Sequence, residues 1–343
     1  MAKANEVKNI LLIVLTITLL ALTVGFAGAQ QATKVPRIGY LGLDDPSSAL
    51  FKSFRQGLRE VGYIEGQNII LEPRFAYGNA WRLNGLAAEL VGLNVNAMVT
   101  QNTPPLSAAR NATRTIPIVM VYFGDPVAVG IVASRERPGG NVTGVSGMAT
   151  ELGGKWLELL KETVPTISRV AVLWSAGFEM EPTMKGMQAT ARSLGVELQS
   201  AQVKAYLTPG FGFGYGNGSR SIGSAFTWAT RRQAGAFILL PSSILGENLD
   251  YIADLGLKNR LPGIFWREDF AEAGGLMAYG ANQIEQSRRA AYVVDKILKG
   301  ANPAELPVEL PTQFKLVINL KTAKEIGVTI PPDMLMFADR VIK

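Results

Sequence analysis

The stretch Val95–Pro126 reads "VNAMVTQNTPPLSAARNATRTIPIVMVYFGDP". It holds two short apolar runs, "VNAMVTQN" (Val95–Asn102) and "IPIVMVYFGD" (Ile116–Asp125), on either side of "PLSAARNATR" (Pro105–Arg114). The runs are continuous rather than alternating, as in strands covered on both faces, and the segment between them has a helical pattern. Strand, helix and strand at this spacing predict a right-handed βαβ unit in a parallel sheet.

Working outward, the same unit recurs. Upstream lie a strand in "PRIGYLGL" (Pro36–Leu43), a helix over Ser48–Tyr63, a strand in "NIILEPRFA" (Asn68–Ala76) and a helix over Trp81–Leu93. The Ser48–Tyr63 segment places Leu50, Phe51, Phe54, Leu58 and Val61 at helical spacing. Downstream a second series follows: helix Lys155–Val164, strand "RVAVLWS" (Arg169–Ser175), helix Thr183–Gly195, strand "VELQSAQV" (Val196–Val203), then "FTWATRRQAG" with "AFILLPSS", and "NLDYIADLGLKNR" with "LPGIFW". Two series of similar size predict an α/β chain of two doubly wound lobes. "RPGGNVTGVSG" (Arg137–Gly147) reads as the crossover strand between them and "GGLMAYG" (Gly274–Gly280) as the return, before a helix at Gln286–Gly300.

Composition narrows the chemistry. Among 343 residues there is no cysteine and no histidine. Disulfides, thiolate metal sites, thiol nucleophiles and imidazole bases are therefore excluded, and a Ser-His-Asp triad with them. No metal or cofactor set is expected. The formal charge of +6 is scattered among acids, with no basic stripe interleaved with aromatics, so no nucleic-acid partner is expected. Near the start, Lys3 and Lys8 precede the apolar run Ile10–Phe26 and the small residues Ala27 and Ala29. That is the pattern of a secretory signal over residues 1–29, and it predicts an exported chain that does not span the membrane once mature.

In open α/β sheets, ligands bind beyond the carboxyl ends of the strands, so the candidate site residues are those that follow strands. These are Ser47 and Ser48 after Asp44 and Asp45; Asn102 and Thr103; Tyr122 and Asp125; then Trp174, Ser242, Trp266 and Tyr279. Hydroxyls, amides and aromatics of this kind suit a small polar or zwitterionic solute. Ser, Thr and Asp at strand ends also cap helices and form turns, and Trp174 and Trp266 are equally suited to a core.

One stretch invites another reading. "TPGFGFGYGNGSRS" (Thr208–Ser221) alternates glycine with aromatic and polar residues. A dinucleotide loop needs Gly or Ala five residues after its first Gly, where this chain has Tyr215, Asn217 or Ser219. It fails as a phosphate loop and reads as a surface insertion in the second lobe.

The blocks "FRQGLREVGYIEGQNIILEPRFA", "GDPVAVGIVASRERPGGNVTGVS", "GGLMAYG" and "AAYVVDKILKGANPAELPVELPTQFKLVINLKTAKEIGVTIPP" resemble the periplasmic substrate-binding components of ABC transporters of the tryptophan/tyrosine type, from about Arg37 to the C-terminus. The resemblance implies a type I periplasmic binding fold with a three-strand hinge, lobe 1 over 36–146 plus 281–304 and lobe 2 over 147–280 plus 305–343. It implies a monomer that takes up a small polar or aromatic solute, with amino acids among the candidates, and hands it to a membrane permease driven by ATPase subunits, with no chemistry on the solute. Role expectations follow: Asp125 for a ligand amine, Thr103 and Ser242 for a carboxylate, Tyr122, Trp174 and Trp266 around the apolar part, and Gly139 or Gly140 as hinge points. Two alternatives remain open, an exported ligand sensor of the same fold and a carboxylate-based hydrolase.

Overall fold

The computed structural model describes residues 35–122, 124–147, 149–175, 180–204, 207–208, 212–213 and 218–343. The expected signal segment 1–29 and the side chain of Tyr122 lie outside that description.

The first sheet is built from β1 (Arg37–Gly42), β2 (Ile70–Phe75), β3 (Ala97–Gln101), β4 (Ile118–Tyr122) and β5 (Val142–Ser146) in the order β2-β1-β3-β4-β5, all parallel. Its helices are α1 (Ala49–Glu60), α2 (Leu83–Gly92) and α3 (Thr103–Ala112). β3 is buried along its whole length, which is why it shows no alternation in sequence. Ile38, Tyr40, Val99, Val119 and Val121 pack into one core cluster with Phe51 and Phe54 of α1. Leu41, Met98, Ile118 and Met120 pack with Leu86, Leu90 and Leu106 of α2 and α3.

The second sheet begins after α4 (Ala149–Thr163) with β6 (Arg169–Ser175), α5 (Met180–Ser193) and β7 (Glu197–Val203). The short strands β8 (Leu207–Thr208) and β9 (Gly212–Phe213) pair antiparallel with each other, and α6 (Gly218–Arg231) follows. Next come β10 (Ala236–Leu239), α7 (Ser243–Gly246), α8 (Leu249–Lys258), β11 (Gly263–Phe265), α9 (Asp269–Glu272) and β12 (Met277–Ala281). After α10 (Gln283–Leu298) the sheet is completed by β13 (Phe314–Asn319), α11 (Leu320–Ile326), α12 (Pro332–Phe337) and β14 (Arg340–Ile342). The order is β14-β13-β12-β11-β10-β6-β7, with β13 antiparallel to β12. Within it, β7-β6-β10-β11-β12 repeats the winding of the first sheet. Each sheet therefore reverses direction once, between β1 and β3 in the first and between β6 and β10 in the second.

Helix α10 follows β12 in the chain but packs on the first sheet. Gly57 of α1 permits this: a Cβ there would sit 2.3 Å from the Arg288 carbonyl oxygen. Ser287 Oγ donates to Leu50 O at 2.7 Å, and Ser53 Oγ to Ile284 O at 2.7 Å. Asn282 starts the helix by accepting from Ile284 N and Glu285 N.

The chain passes between the sheets three times. β5 ends at Ser146 and leads into α4. β12 ends at Ala281 and leads into α10. Glu309 lies beside β5, with Ser146 N donating to its carbonyl at 2.9 Å, and the chain then enters β13, where Phe314 faces Ala281. All three passages lie at the carboxyl ends of the parallel strands, so these two edges are turned toward each other. Gly139 and Gly140, expected as hinge points, precede β5; the whole strand separates them from the passage at Gly147.

Candidate functional site

At the end of β1 the chain turns through Asp44, Asp45 and Pro46. Asp45 Oδ1 accepts from Ser47 N at 2.6 Å, a turn closed by the acid's own side chain. The Ser47 hydroxyl also bonds to Asp45 and holds its carboxyl below the ordinary range. Ser48 begins α1 without a side-chain cap; its hydroxyl bonds to Asp44 instead. The Asp44 carboxylate folds back over the strand end, where a Cβ on Gly42 would lie 2.6 Å from Oδ1. Burial raises its carboxyl, the Ser48 hydrogen bond opposes this, and the charge of Asp45 adds to the rise. Tyr77 N donates to Asp44 O at 3.1 Å and Gly78 N to Leu43 O at 2.6 Å, which fastens the turn to the end of β2. Beneath it, the Tyr40 hydroxyl is fully buried with no hydrogen-bond partner among the described residues.

Beside it, at the end of β3, Asn102 has φ 67° and ψ 175°, a conformation ordinarily left to glycine. Thr103 opens α3 and is followed by Pro104 and Pro105, which have no N–H to offer. Gln101 is buried and donates from Nε2 to Ser287 Oγ at 2.8 Å, while its Oε1 has no partner among the described residues. Gln286 likewise donates to Ser146 O at 3.1 Å, and its Oε1 has no partner among the described residues. Nor has the buried Thr100 hydroxyl a partner among them. Buried polar atoms are seldom left so, and these cluster near the carboxyl edge of the first sheet.

At the end of β4 the arrangement is different. Asp125 Oδ1 accepts from Val127 N at 2.9 Å and Ala128 N at 3.4 Å, and Oδ2 lies 3.6 Å from Arg135 Nη2. Tyr122 is the last residue of β4.

On the second sheet, Trp174 donates from Nε1 to Ser200 Oγ of β7 at 2.8 Å. Ser242 accepts from Leu245 N at 3.2 Å and so caps α7. Trp266 is 8% exposed and belongs to the core around Phe265 and Phe270. Tyr279 stacks on Phe314 with centroids 5.9 Å apart, and its carbonyl accepts from Trp156 Nε1 at 2.7 Å. Burial raises the Tyr279 hydroxyl, against the pull of Lys155. In the β10–α8 connection, burial pushes the Glu247 carboxyl up to about 7, with Arg267 opposing it. Arg267 is forked onto Asp269 and lies against Gly246.

The structure thus brings Ser47, Ser48, Asn102 and Thr103 together at the ends of the adjacent strands β1 and β3. Ser242 is committed to a cap and Trp174 to Ser200. Sequence reasoning gave no role to Asp44, Gln101, Gln286, Ser287 or Glu247. Asp44 and Gln101 were visible as polar residues at strand ends; Gln286 was hidden because polar positions within an amphipathic helix read as solvated.

Two doubly wound lobes joined by three passages define the class of type I periplasmic binding proteins. The chain belongs to the ABC transporter substrate binding protein family, whose model matches residues 43–342. It is a substrate-binding component of an ABC transporter. A "Tyrosine-binding protein" of Clostridioides difficile is 24% identical over 277 residues, 80% of this chain and 75% of that one. A Streptococcus pneumonia ABC domain solved in complex with L-Trp superposes with a TM-score of 0.78 at 25% identity, covering 90% of this chain and 100% of that one. The ligand-free, open structure of a substrate binding protein with adhesive properties from Clostridium difficile gives a TM-score of 0.67 at 21% identity, covering 90% and 100%.

Proposed function

We propose that the chain is exported by its N-terminal segment and works in the periplasm as a monomer. It captures one amino acid with an aromatic side chain between its lobes, closes on it, and passes it unchanged to a permease and its ATPase subunits. The observation that carries this reading is the pair of matching reversals in strand order, each opening at a carboxyl edge turned toward the other. The solute class is supported by relatives described with tyrosine and L-Trp.

The contacts would come from the turns holding Ser47 and Ser48, Asn102 and Thr103, and Tyr122 on the first lobe. On the second they would come from those holding Trp174, Ser242, Trp266 and Tyr279. Asp125, with its carboxylate spread over two backbone N–H groups and Arg135, shapes its own turn. A thermal-shift panel of amino acids, nucleosides and small acids tests the reading. A saturable rise in Tm with tyrosine or tryptophan, and recovery of the solute unchanged, is expected. Chemical conversion of the solute would refute it.

A further inference from the structure

The carboxylates placed inside this fold mostly hold a cation. Glu309 is bonded by Arg289 and, at 2.9 Å, by Lys296. Asp295 holds Lys299 at 2.8 Å, and Asp125 faces Arg135 at 3.6 Å. Asp44 does not follow this pattern. It is half-buried, yet among the described residues no Lys or Arg forms an ion pair with it, and the Ser48 hydroxyl is its side-chain hydrogen-bond partner. A carboxylate held by one hydroxyl and its own backbone N–H still has acceptor capacity to spare, and withdrawing it from water without a counter-charge is costly.

Its position is as telling as its isolation. The strand order β2-β1-β3 reverses beside β1, and Asp44 sits just past the end of β1 at that reversal, the place where doubly wound sheets receive ligands. The backbone is built to present it: Gly42 leaves room for the carboxylate over the strand end, and the bonds from Tyr77 and Gly78 hold the turn. The Tyr40 hydroxyl, fully buried and lacking a partner among the described residues, lies close enough to feel the Asp44 charge.

We propose that Asp44 is the residue that fixes the solute's positively charged amino group, supplying the counter-ion that the chain itself withholds. The solute class is then one bearing a primary ammonium, and the acid selects against analogues without it. This rests on the solute-binding reading above and sharpens it.

The test compares wild type, Asp44→Asn and Asp125→Asn by titration calorimetry with L-tyrosine and L-tryptophan and with the desamino analogues of both. Asp44→Asn should weaken binding of the two amino acids at least ~10-fold, since a charge-assisted hydrogen bond becomes a neutral one. It should leave the desamino analogues, already weak, within ~3-fold, and Asp125→Asn should cost the amino acids far less. Unchanged circular dichroism and a Tm no lower than that of wild type establish that Asp44→Asn is folded. An Asp44→Asn protein that binds both amino acids as tightly as wild type overturns the assignment. If wild type ignores both but binds another amine-bearing solute in an Asp44-dependent way, the aromatic reading falls and the role of Asp44 stands. If wild type binds only amine-free solutes, the role of Asp44 falls.

Discussion

Two turns on the first lobe look alike in sequence. β1 is followed by "LDDP" (Leu43–Pro46) and β4 runs out through "YFGDP" (Tyr122–Pro126), each with an Asp–Pro pair. The structure shows the same device at both: Asp45 Oδ1 accepts from Ser47 N, and Asp125 Oδ1 from Val127 N, each two residues on. In both, the acid before proline is spent on the turn. The difference is one residue. The β1 turn carries an additional acid, Asp44, ahead of that device, whereas the β4 turn has Gly124 there and an arginine to balance its single acid. A strand-end carboxylate is thus a weak sign of a ligand until its local partners are counted.

The largest effect that should break this contrast comes from Gly42→Ala. The new methyl would meet Asp44 Oδ1 at 2.6 Å and the Phe75 ring at 3.0 Å. The carboxylate is the freer of the two and should move. Affinity should fall ~10-fold with a stability loss of no more than about 1–2 kcal/mol, seen by calorimetry and urea unfolding side by side. Asp125→Ala should do the reverse. Removing an acceptor for two N–H groups costs about 1–2 kcal/mol of stability, with a smaller change in affinity than Asp44→Asn produces. If it instead abolished binding at full stability, the two turns would have to exchange roles.

A smaller effect concerns Glu247 on the second lobe. Its carboxyl is raised by burial to about 7, so the folded state holds this proton where the unfolded chain has released it. The associated stability is complete below the unfolded value near 4.5 and is lost as pH rises through about 7. Glu247→Gln should therefore melt close to wild type at pH 5 and above it at pH 8. A difference in Tm that does not vary with pH would remove the burial argument. Asp44, raised in the same sense, should leave Asp44→Asn at least as stable as wild type at neutral pH.

The alternation of strand and helix was legible because parallel strands buried on both faces give uninterrupted apolar runs. "VNAMVTQN" and "IPIVMVYFGD" contain β3 and β4, and "RVAVLWS" is β6. The crossover reading of "RPGGNVTGVSG" needs refinement: β5 lies wholly in the first sheet, and the chain crosses after it. Residue by residue, reading the pattern did not find β13 or β14. β13 carries Lys315 within "FKLVIN", and β14 is a three-residue edge strand. Strand order lies beyond any local pattern, because it depends on which strands pair across the chain. That order is what separates the β1 turn from the β4 turn as a ligand position. Of the candidate residues, Ser47, Ser48, Asn102 and Thr103 fall at the reversal, while Ser242 was equally legible as the cap it forms. Of the insertion at Thr208–Ser221, the structure describes Gly212–Phe213 paired with Leu207–Thr208, and α6 beginning at Gly218.

The most direct test of the central claim is small-angle scattering of the mature protein with and without saturating L-tyrosine or L-tryptophan, paired with recovery of the solute. Capture between two lobes predicts a smaller radius of gyration in the bound form, loss of that compaction in Asp44→Asn at the same solute concentration, and a solute returned intact. Binding with no change in radius, or a solute returned altered, would contradict it.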